Sequence, residues 1–153
     1  MAIFRSTPLP EAGPKSAGPV IAAKHNAATP QRPEGNRLLD APLVVMDLHA
    51  FRHQIKQEPA WRLSDRNAIT VFKSASLRMV LVALHAGAEM KTHTSAGTVT
   101  VQVLEGRIAF HTDAQAAELN QGQLLALHGH IPHSVRACEE AVFLLTLAMP
   151  AAS

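Results

Sequence analysis

The chain is poor in several residue types, and each shortage closes off a class of function. Cysteine occurs once in 153 residues, as Cys138, which rules out an intramolecular disulfide and a cysteine-built zinc cluster and suits a reducing compartment. Tyrosine is absent, and one Trp and five Phe leave no interleaved aromatic platform on which nucleic-acid bases could stack. Charged residues make up 17% of the chain, and no apolar run approaches the roughly 20 residues needed to cross a bilayer. The length argues for one globular domain, with the cytosol as the expected location and neither nucleic acid nor membrane as a partner. Against these shortages stand nine His, more than all the aromatics together, and 47% apolar residues with which to build a core.

The net charge of +2 conceals an asymmetry: residues 1–37 carry five Lys/Arg against two Asp/Glu, leaving nine against ten in the remainder. The same segment holds Pro8, Pro10, Pro14, Pro19, Pro30 and Pro33 with Gly13, Gly18 and Gly35 between them. Such a composition predicts a disordered Pro/Ala-rich tail over 1–37, whose scattered cations read as a solvated linker rather than a binding arm. The apolar stretch Val20 to Ala23 is too short for the core of a secretion signal. Residues 38–62 read as a helical lead-in and 63–150 as the main domain.

Within the lead-in, Asp47 is placed to cap a helix presenting Leu48, Phe51 and Ile55 on one face, ending before Pro59. His49 and His53 share a face of that helix but lack an acidic or thiol partner, so they read as solvated. Trp61 reads as a packing plug between helix and sheet. From Ala68 onward the text becomes strand-like: Ala68 to Lys73, Leu77 to His85, Thr98 to Leu104, Arg107 to Thr112, Gln115 to Leu119, Leu124 to Leu127, Ser134 to Cys138 and Val142 to Ala148. Glycines and Asn120-Gln121-Gly122 punctuate these runs. Short strands without intervening helical patterns indicate a closed antiparallel barrel or sandwich.

Two spaced motifs sharpen this. In the stretch from Gly87 to Gly106, His93 follows the first glycine after five residues, with Ser95 and Val99 at the next marked positions. In the second, Gly122 is followed by His128, His130, His133 and Ala137. The pair resembles the two motifs of the cupins, with Gly87, His93, Gly106, Gly122 and His133 matching and the others departing. Ser95 stands where the family has a second His, Val99 where it has Glu, and His128, His130 and Ala137 where it has Pro, Gly and Asn.

The resemblance covers residues 68–148. It implies an all-β fold, a double-stranded β-helix or jelly-roll barrel, commonly paired into a homodimer. It also implies a pocket at the motif positions. Strand alternation places His93, Ser95, Val99, Val101 and Val103 on one parity, an apolar wall carrying few polar groups, as small-molecule pockets are built. The expected ligand contacts are therefore His93, Ser95, Val99, Val101 and His133, binding a small organic molecule.

In metal-containing cupins the two first-motif His, the Glu and the second-motif His hold a divalent ion; half that set is missing here. The alternative is an enzyme, an oxygenase, isomerase or decarboxylase, using iron, manganese, zinc or nickel held by His93 and His133 and completed by His128 or His111. A metal-free enzyme would use His93 or His133 as a general base. A structural or interaction module is the third reading, and a barrel filled by its own side chains would favour it. His130, at a family glycine position, is expected to tolerate a left-handed backbone. Gly87, Gly106 and Gly122 are expected at positive φ, Cys138 as an inert packed thiol, and Glu89 and Glu105 facing solvent.

Overall fold

A continuous aliphatic run can serve a strand only if both faces of that strand are covered, and the two runs of this kind, Leu81–Leu84 and Ala141–Leu144, are fully buried. They lie next to each other at the centre of the larger sheet. The computed structural model describes residues 7–11, 13 and 20–150. Its elements in chain order are β1 (Lys24–His25), β2 (Leu38–Asp40), α1 (Leu48–Gln57), α2 (Pro59–Leu63), β3 (Arg66–Lys73), β4 (Leu77–Leu84), β5 (Glu89–His93), β6 (Val99–Glu105), β7 (Arg107–Thr112), β8 (Ala116–Asn120), β9 (Leu124–Leu127), β10 (His133–Ala137) and β11 (Ala141–Ala148).

Strands β3-β4-β11-β6-β9 form one sheet and β5-β10-β7-β8 a second, every pairing antiparallel. Between them lies a core of Val82, Leu84, Val101, Val103, Ile108, Phe110 and Phe143 with their neighbours. A second core covers the outer face of the five-stranded sheet, where Ile55 and Trp61 meet Ile69, Val71, Leu81, Val142 and Leu144. The order β3-β4-β11-β6 thus explains the sequence: β4 and β11 have the barrel on one side and α1 on the other.

The helix forms where its cap places it. Asp47 accepts a hydrogen bond from the Ala50 backbone N–H at 3.0 Å, and Leu48, Phe51 and Ile55 face the sheet. His49 and His53 are exposed on the opposite side, their rings edge to face at 4.7 Å. Trp61 is buried and stacks on His85 at 3.5 Å, while His85 Nε2 hydrogen-bonds the Trp61 carbonyl at 2.8 Å.

Residues 20–37 of the segment read as a tail are ordered against the body. Residues 1–6, 12 and 14–19 lie outside the described residues, but β1 pairs with β2 and the segment between them is tied to the body. Arg32 reaches Glu58 at 2.8 Å and the Ala68 carbonyl at 2.7 Å, and Gln31 donates to Asn67 at 3.0 Å. Composition predicts disorder for such a segment, yet these long-range contacts override it.

Glu58, at the C-cap of α1, gathers donors from Arg32, Asn67 and Gln54. Burial pushes its carboxyl up, but those hydrogen bonds outweigh burial and hold it below the ordinary carboxylate range. Glu105 is likewise held low, against its own burial, by Lys56 and Arg52 of α1. A carboxylate depressed in the folded state contributes stability that is present above its unfolded value and lost as pH falls through the folded one. The expected result is a urea midpoint that declines as pH drops below about 4.5, with a shallower decline in Glu58→Gln, read from denaturation curves across pH.

Candidate functional site

The site is positioned by strand register. Strands β5 and β10 pair with His93 opposite His133, so the two imidazoles stand side by side on one face of the smaller sheet. The register then shifts: Val135 meets Met90, so three steps along β5 match two along β10, a β-bulge beside the His pair. The ring centroids are 4.4 Å apart at a 59° tilt. His133 is 4% exposed and lies nearly parallel to Phe110 of β7 at 5.4 Å, whereas His93 is exposed at the mouth.

Both rings are anchored in the same way. Nδ1 of His93 lies 2.8 Å from the Lys91 carbonyl, and Nδ1 of His133 lies 2.9 Å from the Ile131 carbonyl, each two residues back. A carbonyl oxygen can only accept, so Nδ1 carries the proton in both rings. In the neutral rings both Nε2 atoms are left with lone pairs. The two His line a small cavity of about 20 Å³ whose remaining walls are apolar, among them Val99, Val101, Phe110 and Met90. That is space for a single water or one terminal group.

The expected contacts divide. His93, Val99, Val101 and His133 come together around this cavity. Ser95 does not: its hydroxyl donates to the Gly97 carbonyl at 3.3 Å, inside its own turn, and it is not a wall residue. His111 is exposed, since β7 turns Ile108 and Phe110 inward and therefore His111 outward, and it registers with Ser134 rather than His133. His128 is exposed beyond the end of β9 and absent from the cavity wall. Neither completes a ligand set with the pair. Phe110 and Met90 belong to the site and were not anticipated, although the parity of Ile108 along β7 could have placed Phe110 inside.

The rim is built from two loops in backbone contact. His130 has φ 64°, as its position anticipates, and its N–H donates to the Ser95 carbonyl at 2.7 Å. A Cβ at Gly129 would lie 2.5 Å from the Ala96 carbonyl oxygen, so the loops can meet only through glycine. Gly87, Gly106 and Gly122 also carry the expected positive φ.

A divalent ion implied by the fold would need more donors than are present. Among the described residues no group of three His, Cys, Asp or Glu is arranged to hold a metal. The wall position beside the pair is the hydrocarbon of Val99, and the Ser95 hydroxyl is spent elsewhere. Two neutral imidazoles fall short of the three protein ligands a catalytic site usually supplies.

Two facing antiparallel sheets closed around a single core, with an imidazole pair at the mouth, define a small β-barrel of the double-stranded β-helix type. Its fold is that of the cupin superfamily. A conserved Streptococcus pyogenes protein of unknown function is 26% identical, with a TM-score of 0.55 over 57% of this chain and 76% of that one. A cupin-2 domain protein from Shewanella frigidimarina matches 68% of this chain and 94% of its own at TM-score 0.55 and 16% identity. Salicylate 1,2-dioxygenase from Pseudoaminobacter salicylatoxidans, crystallised as a variant with gentisate, is 22% identical at TM-score 0.51; the chain matches 25% of its length. No family description and no curated protein matches the sequence. Among the described residues no helix is long and apolar enough to cross a membrane.

Proposed function

We propose that the barrel is a ligand-binding module. It takes the hydrogen-bond-donating end of a small organic molecule, a hydroxyl or an amine, between His93 and His133 without a catalytic metal. The observation that carries this reading is the pair itself: two adjacent imidazoles with Nδ1 committed to backbone carbonyls and Nε2 left to accept. The cavity, about 20 Å³, is far below the size of a small-molecule pocket, and a barrel so filled by its own side chains taken alone favours the structural or interaction module. On the binding reading only a terminal group enters, and the body of the ligand rests at the mouth beside the exposed His93. Met90, unbranched and partly buried, is the wall residue able to swing and widen the opening. The reading includes pairing of two copies, which would cover one of the strand edges at β5, β8 and β9.

Ligand-observed NMR with benzyl alcohol and benzylamine tests the binding. The expected result is contact with the wild-type protein that weakens at least about tenfold in His133→Ala. Unchanged binding in that variant would sink the reading.

A second reading is a divalent-metal site that retains its ion, because metal-ligating His characteristically donates its other ring N–H to a carbonyl or carboxylate, as both rings do here. Elemental analysis of untagged protein purified without chelator separates the two: near-zero metal per chain supports the first, and one ion per chain supports the second.

A further inference from the structure

A cleft much roomier than the barrel cavity lies outside the barrel. It lies between the N-terminal β1–β2 hairpin and strand β3, has a volume of about 700 Å³, and so falls within the range of small-molecule sites, roughly 300 to 1,000 Å³. Its charged wall residues are Lys24, Arg32, Arg37 and Lys73, with no carboxylate among them. The carboxylates nearby, Glu34 and Glu58, line a separate depression of about 340 Å³ that shares Arg32 and Arg37 with the cleft. The carboxylates thus stay outside the cleft, although Glu58 pairs with Arg32 from the far side and its charge also reaches Arg37.

Of the four cations, Arg32 is paired with Glu58. The other three have no ion pair among the described residues. Arg37 is the most constrained: its Nη2 donates to the Thr70 carbonyl, its guanidinium lies over the Phe51 ring at 5.7 Å, and its buried Nε has no partner. Burial, and then the charge of Arg32, lower its pKa below the usual arginine range. Holding like charges together around a cleft costs stability unless something of opposite sign enters it. The wall also offers Ala27, Leu39 and Ala68 as apolar surface for the body of a ligand.

We propose that this cleft binds a small, multiply charged organic anion, its oxyanion groups held by Lys24, Lys73 and the guanidinium of Arg37. The planar guanidinium presents N–H donors that match the paired oxygens of a phosphate or carboxylate, and the two lysines add point charge at the edge. The segment expected to be a floppy basic tail becomes, once pinned by Arg32 and Arg37, one wall of a binding site.

Calorimetric titration of the full chain with pyrophosphate and with citrate tests this. Binding of either anion that weakens as salt rises is expected, with at least about a tenfold loss in the Lys24→Gln/Lys73→Gln double variant. Both lysines are exposed, so that variant keeps the fold, which circular dichroism checks. Arg37→Lys, which keeps charge but loses the fork, is expected to weaken binding as well, and His133→Ala to leave it unchanged, separating this site from the barrel. Pyrophosphate binding without citrate would assign phosphate chemistry, citrate without pyrophosphate would assign polycarboxylates, and both together a general oxyanion site. Absence of binding for both at millimolar concentration, or full binding retained in the double variant, would overturn the proposal.

Discussion

Gly97→Ala is expected to lower folding stability by about 3 kcal/mol or more, enough to abolish the folded state of a marginal domain. A Cβ at Gly97 would lie 1.6 Å from the carbonyl oxygen of Ala148 and 2.8 Å from its carbonyl carbon. Both are backbone atoms, so no rotamer change can relieve the clash. Nor is the end of β11 free to retreat: Ala148 N–H donates to the Thr98 carbonyl at 2.9 Å, and Met149 N–H donates to the Ser76 carbonyl at 2.8 Å. Moving it would break hydrogen bonds on two sides. Gly87→Ala provides the contrast, because a Cβ there meets nothing within 4 Å and only the φ of +82° is unfavourable, a penalty of about 1–2 kcal/mol. Urea denaturation of the two variants beside wild type measures the difference. A Gly97→Ala midpoint no lower than that of Gly87→Ala would show that the rim yields more readily than its hydrogen bonds imply.

The rim also shows how much of the molecule could be read in advance. Strands with an aliphatic stripe were legible, because burying that stripe fixes both the element and its face: β3, β4, β6, β7 and β11 all carry one. Strand β5 was not legible. Its residues Glu89-Met90-Lys91-Thr92-His93 are almost all exposed and form a ladder with β10 rather than a hydrophobic face, so nothing local marks them as a strand. The N-terminal hairpin was hidden for a related reason: its order comes from Arg32, Gln31 and Arg37 bonding to residues 26 to 36 positions away, which a local composition cannot reveal.

At the site, spacing brought out His93 and His133 because motif positions map onto strand register, and register is what makes them neighbours. The same reasoning failed for Ser95, which has the right parity but lies past the end of β5, where the chain turns and its hydroxyl finds the Gly97 carbonyl first. His111 falls outside the pair because β7 turns Ile108 and Phe110 inward, which puts His111 on the opposite face. The filled barrel interior, about 20 Å³, could not be anticipated at all, since it depends on how Val99, Val101, Phe110 and Phe143 interlock between the sheets.

Val99→Glu is expected to convert the imidazole pair into a metal site. Val99 is 3% exposed and lines the cavity with His93 and His133, so a carboxylate there supplies a third protein ligand and the negative charge the pair lacks. Without metal the variant should be less stable than wild type by about 3 kcal/mol or more, because a carboxylate is forced into a space walled by valine, phenylalanine and leucine. With manganese or nickel the loss should be reversed. A ligand present at a hundred times its dissociation constant stabilises the folded state by about 2.7 kcal/mol, which appears as a rise in Tm. Wild-type protein, offering two neutral donors, should show no comparable rise in the same titration. A metal-dependent Tm shift already present in wild type would mean that His93 and His133 bind the ion well on their own, and the metal-poor reading of the barrel would fall. No shift in either protein would show that residue 99 cannot bring its side chain to the pair, and the assignment of Val99 to the missing ligand position would fall instead.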